Sequence, residues 1–162
     1  MKQRQIGPFQ VSAIGLGCMN LSHAYGAPPA PEAAERLLLH ALDAGVTLFD
    51  TAALYGFGAN ETLVGRVMKP HRSKFVLASK GGMTGVTFPD GIKRVIDGRP
   101  ESLKRDCEAS LKRLQTDVID LYSCTAGTDR LLSKTAWARC RTWCGRERCA
   151  RSACLKSLPP RC

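Results

Sequence analysis

Two short apolar runs in this sequence each end in an ionisable side chain. Leu48-Phe49 closes on Asp50, Val76-Leu77-Ala78-Ser79 closes on Lys80, and a phenol, Tyr55, follows shortly after the carboxylate. Those three groups make a proton-donating set. The ammonium stabilises the phenolate left when the phenol gives up its proton, and the carboxylate keeps the ammonium charged. The chemistry requires the two runs to be neighbouring parallel strands, which would gather the groups at one carboxyl-terminal edge. A strand-end salt bridge beside a packing tyrosine has the same spacing, so residue types alone leave both readings open.

The surrounding sequence supplies such strands. Residues 2–6 and 9–12, around Gly7-Pro8, read as a hairpin, and residues 13–16 as a first buried strand stopped by Gly17. A loop rich in Gly and Pro covers 20–29. Pro31-Glu32 then opens a helix, because proline suits a first helical position and an acid suits the positive end of the helix dipole. Its Leu37, Leu38, Ala41 and Leu42 recur at helical spacing, and Gly45 stops it. The second strand covers 47–50. Asn60-Glu61 is expected to cap a shorter helix with Leu63, Val64 and Val67 on one face, ended by Pro70. The third strand covers 75–79, and 81–98 reads as a long glycine-rich loop. Arg99-Pro100-Glu101 opens a third helix with Leu103, Cys107, Leu111 and Leu114 as its apolar stripe, and the fourth strand covers 118–122. Strict alternation of strand and helix predicts an α/β fold with a parallel sheet and right-handed crossovers. Four such units after a hairpin amount to the N-terminal half of a (β/α)8 TIM barrel, a fold that takes about 250 residues and keeps its chemistry at the carboxyl rim.

Taken in order, Phe49-Asp50-Thr51-Ala52 with Tyr55-Gly56, Ser79-Lys80, Glu108-Ala109-Ser110-Leu111 and Asp117-Val118-Ile119-Asp120-Leu121-Tyr122 resemble the aldo-keto reductases over residues 5–122. Gly15-Leu16-Gly17-Cys18-Met19 with Ser22-His23-Ala24-Tyr25-Gly26 is similar to the microbial branch that reduces small aldehydes and pyridoxal-like substrates. The resemblance implies an eight-stranded α/β barrel, NADPH as cofactor and a small carbonyl compound as substrate. It also implies that Asp50, Tyr55 and Lys80 match three of the family's four catalytic groups. Tyr55 would protonate the carbonyl oxygen, Lys80 would support its ionisation, and Asp50 would anchor Lys80. His23 and Tyr25, in the first long loop, are candidates for lining the substrate pocket. No Gly-x-Gly-x-x-Gly opens a helix, so the sequence carries no dinucleotide fingerprint of that kind and assigns no cofactor-binding residue.

The family's fourth group, a His at the end of the fourth strand, has no counterpart. Here Asp120-Leu121-Tyr122 runs into Ser123-Cys124-Thr125, and no His follows His71. The composition breaks at the same place. Residues 1–122 carry 15 basic and 12 acidic side chains with two of the eight Cys. The remaining 40 residues carry nine basic and two acidic side chains, six Cys and both Trp. Back-translation accounts for the break. The codons TAC TCC TGC ACC GCT GGG ACC encode Tyr122 to Thr128, and restoring one A after the first T of TCC gives Tyr-Tyr-Leu-His-Arg-Trp-Asp, a family-like continuation with its His. With suitable codons the same offset turns the stretch from Gly145 to Ser157 into Glu-Gly-Lys-Val-Arg-Ala-Leu-Gly-Leu-Ser-Glu-Val. Residues 123–162 are therefore expected to be an out-of-frame, irregular or disordered tail, leaving a truncated, inactive barrel domain at 1–122. Reading the gene around codon 123 decides the matter.

The same tail explains the totals of charge and cysteine. Its Cys spacings contain no Cys-x-x-Cys pair, so no zinc site is assigned. An Arg-rich segment with Trp137 and Trp143 could bind nucleic acid or another polyanion, which is the alternative, non-enzymatic reading. A GC-rich gene read in the wrong frame produces the same composition, and the reductase reading is preferred. Cys18 and Cys107 are expected to be packed thiols, since neither has an evident base. Residues 1–10 lack the apolar core of a secretion signal and no run approaches a membrane span, so a soluble, cytoplasmic setting is expected. A half barrel would also leave open strand edges through which copies could aggregate.

Overall fold

The computed structural model describes residues 1–22 and 26–125, together with a short backbone strand at 149–153. Strands β1 (Gln3–Ile6) and β2 (Phe9–Ser12) pair antiparallel across the Gly7-Pro8 turn. They are followed by β3 (Leu16–Gly17), helix α1 (Pro31–Asp43), β4 (Leu48–Asp50), α2 (Ala59–Met68) and β5 (Val76–Gly81). A second hairpin, β6 (Met83–Phe88) with β7 (Gly91–Ile96), precedes α3 (Pro100–Leu114), β8 (Ile119–Cys124) and β9 (Cys149–Ala153). The central sheet has the order β3-β4-β5-β8-β9 with every pair parallel. Helices α1, α2 and α3, in the connections β3–β4, β4–β5 and β5–β8, cover it, as parallel strands require.

The core lies between that sheet and the three helices. Ala34 and Leu38 of α1, Val64 and Met68 of α2, and Cys107, Leu111 and Leu114 of α3 pack with Phe49, Leu77, Ile119 and Tyr122 of the strands. Side chains alternate across a strand, and β5 shows it plainly: Leu77, Ser79 and Gly81 are buried, while Val76, Ala78 and Lys80 are half-buried on the other face. The first hairpin is tied to the amino end of the sheet by a reciprocal pair. Ser12 N donates to Thr47 Oγ1 at 2.8 Å and Thr47 N donates to Ser12 Oγ at 2.9 Å.

Several expectations need correction. Of the expected first strand, 13–16, only Leu16 pairs with β4; Gly17, read as its stop, pairs as well, and Ile14 is 66% exposed. Residues 13–15 are used to turn the chain from hairpin to sheet, with Ser12 Oγ donating to Ile14 O and Ala13 N to Lys2 O. Leu37 is exposed, whereas Leu38, Ala41 and Leu42 of the expected stripe face the core, joined there by Ala34. Asn60 and Glu61 do not cap α2. The helix starts after Gly58 at φ 97°, a left-handed conformation that glycine adopts without a Cβ clash, and no side chain caps it. The glycine-rich stretch 81–98 is a hairpin, not a loop. Val86-Thr87-Phe88 alternates as a strand should, but Ile92-Lys93-Arg94-Val95-Ile96 does not, and the surrounding glycines masked both. Within the tail expected to be irregular, Cys149–Ala153 forms a fifth parallel strand beside β8.

Helices α2 and α3 approach closely at Gly65. A Cβ there would lie 2.4 Å from Arg113 O and 2.6 Å from the Leu114 backbone, and backbone cannot swing aside. Gly65→Ala is therefore expected to destabilise the chain by about 1–3 kcal/mol, the range for overpacking a well-filled contact. Urea unfolding of the two proteins measures this, and an unchanged midpoint would contradict the close approach.

Candidate active site at the carboxyl end of the sheet

Parallel pairing of β4 with β5 places Asp50 opposite Ala78. Lys80 is two residues further along the same face, so its side chain reaches diagonally back to Asp50. The register continues past the end of β4, where Thr51 N donates to Ala78 O at 2.9 Å and Ala53 N to Lys80 O at 3.2 Å. Thr51, Ala52 and Ala53 are buried. The chain then folds over them, with Tyr55 N donating to Ala52 O at 3.1 Å, and brings the phenol above Lys80.

Lys80 Nζ is the centre of the arrangement. It lies 2.5 Å from Asp50 Oδ2, 3.0 Å from Thr51 O and 3.0 Å from Tyr55 Oη, so three oxygens meet its three protons. It also sits 4.8 Å from the centroid of the Tyr55 ring. The Lys80 side chain is 17% exposed and that of Asp50 is 39% exposed, which makes this a partly shielded pair open to solvent on one side. Asp50, Tyr55 and Lys80 are thus brought together as the residue types suggested. His23 and Tyr25 lie outside the described residues, as do both Trp of the tail and all of its Arg except Arg151, which is described in its backbone alone.

The other tyrosine among the described residues offers no such chemistry. Tyr122 is buried against α3, and loss of solvent pushes its phenol far above the ordinary value. Cys18 is wholly buried beside the site, with its N–H donating to Asp50 O at 2.8 Å. Burial, and then the Asp50 carboxylate, push its thiol up to about 12. Cys107 is also wholly buried. Both are packed thiols.

The sequence model of the Aldo/keto reductase family matches residues 13–129, most of the chain. The chain belongs to the aldo/keto reductase family. It is 42% identical over 130 residues to a probable aldo-keto reductase of Glycine max, the match taking 75% of this chain and 37% of that protein. It is 41% identical over 121 residues to an aldo-keto reductase of Schizosaccharomyces pombe whose name carries NADP(+), covering 74% of this chain and 35% of that one. Among solved structures, an aldo-keto reductase of Bacillus halodurans in its holo form superimposes with a TM-score of 0.85 at 30% identity, over 98% of this chain and 51% of that one. A glycerol dehydrogenase of Gluconobacter oxydans superimposes with a TM-score of 0.82 at 26% identity, over 97% and 49%. The chain spans little more than a third of the curated relatives it matches. Its α/β architecture corresponds to about half of these aldo-keto reductase barrels.

Two functional candidates escaped sequence reasoning. Asn60 and Glu61 were read as a helix cap, yet both are wholly buried and hydrogen-bonded to residues flanking the site. Their signal was available: an amide and a carboxylate in a helix's first turn, followed by the apolar face, can point inward as readily as they can cap. Arg72 and Asp120, at the amino end of the sheet, form a further shielded ion pair at 2.6 Å. Asp120 Oδ2 also accepts Leu77 N at 2.7 Å, which stitches β8 to β5.

Iodoacetamide at pH 8 is expected to leave Cys18 and Cys107 unmodified in the native chain and to label both in urea, as read by peptide mass spectrometry. The Cys18 shift has a definite sign. An unfolded thiol ionises near about 8.5, so between there and about 12 the unfolded state sheds a proton that the folded state keeps. Stability is expected to fall as pH rises through that window, and Cys18→Ala is expected to flatten the slope.

Proposed function

We propose that Asp50, Tyr55 and Lys80 are the proton-handling part of an NADPH-dependent aldehyde or ketone reductase, and that this chain alone does not complete the enzyme. The observation that carries the proposal is the 3.0 Å contact between Lys80 Nζ and Tyr55 Oη, made while Asp50 and Thr51 O hold the same ammonium. In this reading the Tyr55 hydroxyl gives its proton to the oxygen of a small carbonyl substrate. Lys80 stabilises the phenolate that remains, and Asp50 keeps Lys80 charged and aimed.

The described residues offer the cofactor's phosphates few basic side chains near the site. Two phosphate groups call for basic side chains or a helix amino end. The loops after β3 and β4, residues 18–22 and 51–58, contain no Lys or Arg. Beyond β5, Lys93 and Arg99 are paired to Asp90 and Asp97, Arg94 on β7 is exposed, and Lys80 has all three protons engaged. The family's His also has no counterpart after Tyr122. These absences support the reading that the proton-donating groups are present and the groups that hold a nicotinamide dinucleotide and the substrate carbonyl are not. The one-base offset near codon 123 remains the proposed cause.

Titrating the full chain with NADPH and following cofactor fluorescence is expected to give no saturable change at micromolar concentrations; a micromolar Kd would overturn the claim of incompleteness. Restoring the reading frame is expected to yield carbonyl-dependent NADPH oxidation. Tyr55→Phe should then lower kcat by about 10²–10⁴-fold, the usual contribution of a positioned proton donor. A repaired protein indifferent to that change would remove Tyr55 from the mechanism.

A further inference from the structure

The residues next to the proton-donating set, not only its members, are held by the start of α2. Because side chains alternate along a strand, Thr51 and Ser79 point away from the face that carries Asp50 and Lys80, toward the helices. Both are buried, and each meets a polar side chain from the first turn of α2. Thr51 Oγ1 donates to Asn60 Oδ1 at 2.7 Å, and Ser79 Oγ donates to Glu61 Oε1 at 2.6 Å. Neither Asn60 nor Glu61 exposes any surface.

Each also binds partners beyond the strand hydroxyls. Asn60 Nδ2 donates to Cys18 O at 2.7 Å and to Ser22 Oγ at 3.0 Å, which fixes the end of β3 and the start of the first long loop. Glu61 Oε2 accepts from Arg113 Nε at 2.7 Å, and the same guanidinium reaches Ser110 Oγ at 3.3 Å. An apolar pair could fill this space at no desolvation cost. Burying an amide and a carboxylate–guanidinium pair gives little net stability over such a replacement, but it fixes geometry. Thr51 also lends its carbonyl to Lys80, so a shift of Thr51 moves a ligand of the ammonium directly.

We propose that Asn60 and Glu61 are positioning residues for the proton-donating set. Asn60 sets the residue after Asp50, Glu61 sets the residue before Lys80, and one helical turn thereby fixes the spacing of carboxylate, ammonium and phenol. The proposal rests on the reading that Lys80 serves Tyr55, and it extends that reading to the rigid frame behind the two groups.

The test cuts each link without stranding the Glu61 charge, which keeps Arg113. Thr51→Val and Ser79→Ala remove the two hydroxyls, while Thr51→Ser and Ser79→Thr keep them. The readout is the ε-methylene resonance of Lys80 in the full chain labelled with ¹³C-lysine, assigned with Lys80→Arg. With Nζ beside the Tyr55 ring, that resonance is displaced upfield of the exposed lysines, and Tyr55→Leu abolishes the displacement. Thr51→Val and Ser79→Ala are expected to return it most of the way to the exposed position, while the hydroxyl-retaining variants keep it displaced. Thermal midpoints measured alongside separate geometry from stability. If the resonance stays displaced in Thr51→Val and Ser79→Ala while the midpoint falls, the two residues only stabilise the fold and the proposal is overturned. If the unaltered chain shows no displaced lysine, the Lys80–Tyr55 contact does not form, and the underlying reading falls instead. Either hydroxyl-deleting variant decides the matter alone should the other not fold.

Discussion

The register between β4 and β5 is the constraint on which the rest depends. Asp50 lies opposite Ala78, so Lys80, two residues on, shares its face and can reach its carboxylate. A slip of one residue would send Lys80 to the helix side, into a layer filled by Leu77, Ser79 and their neighbours. An ammonium there would be buried without its carboxylate. The hydrophobic pattern and the ion pair therefore demand the same register, and that agreement makes the site a property of the fold.

Much of this was legible because it is periodic or punctuated. Pro31, Pro100 and the apolar stripe of α3 announced their helices: Leu103, Cys107, Leu111 and Leu114 are all buried as their spacing required. Parallel strands buried on one face read as short apolar runs, and both runs that end in Asp50 and Lys80 were visible. What escaped has a common cause. Leu37 was taken for core because leucines adjoin in α1, whereas the buried stripe follows the crossing of α1 over the sheet, which no local pattern encodes. Hairpin β6–β7 was hidden by glycines that usually mark loops. Asn60 and Glu61 looked like surface caps because polar residues at a helix start are so often exposed. Their burial depends on partners 9 and 18 residues away, Thr51 and Ser79.

Two ends of the sheet solve the same electrostatic problem for different purposes. At the amino end, Arg72 donates to Phe75 O, Val118 O and Asp120, and its guanidinium lies 5.3 Å from the centre of the Phe75 ring. Asp120 in turn accepts from Leu77 N, so every charge there is spent on joining strands and loops. At the carboxyl end, the Asp50–Lys80 pair leaves the Tyr55 hydroxyl hydrogen-bonded yet only half-buried, able to meet another molecule. A closed cluster stitches strands, and an open one keeps a proton donor at the surface. That contrast follows the barrel rule that the amino face serves stability and the carboxyl face serves chemistry.

All three members of the proton-donating set come from two adjacent strands and the turn that joins the first of them to α2. Their mutual geometry needs β4, β5 and α2, with Arg113 of α3 holding Glu61, and nothing beyond the described half of the barrel. Local completeness of this kind explains how a chain matching about half of its structural relatives can hold Lys80 against Asp50 and Tyr55 at hydrogen-bonding distance. A ligand cradle has no such local origin, since in barrels of this kind the groups that surround a ligand come from the ends of several different strands. The arrangement of the proton donor is the last part of the site to depend on barrel closure.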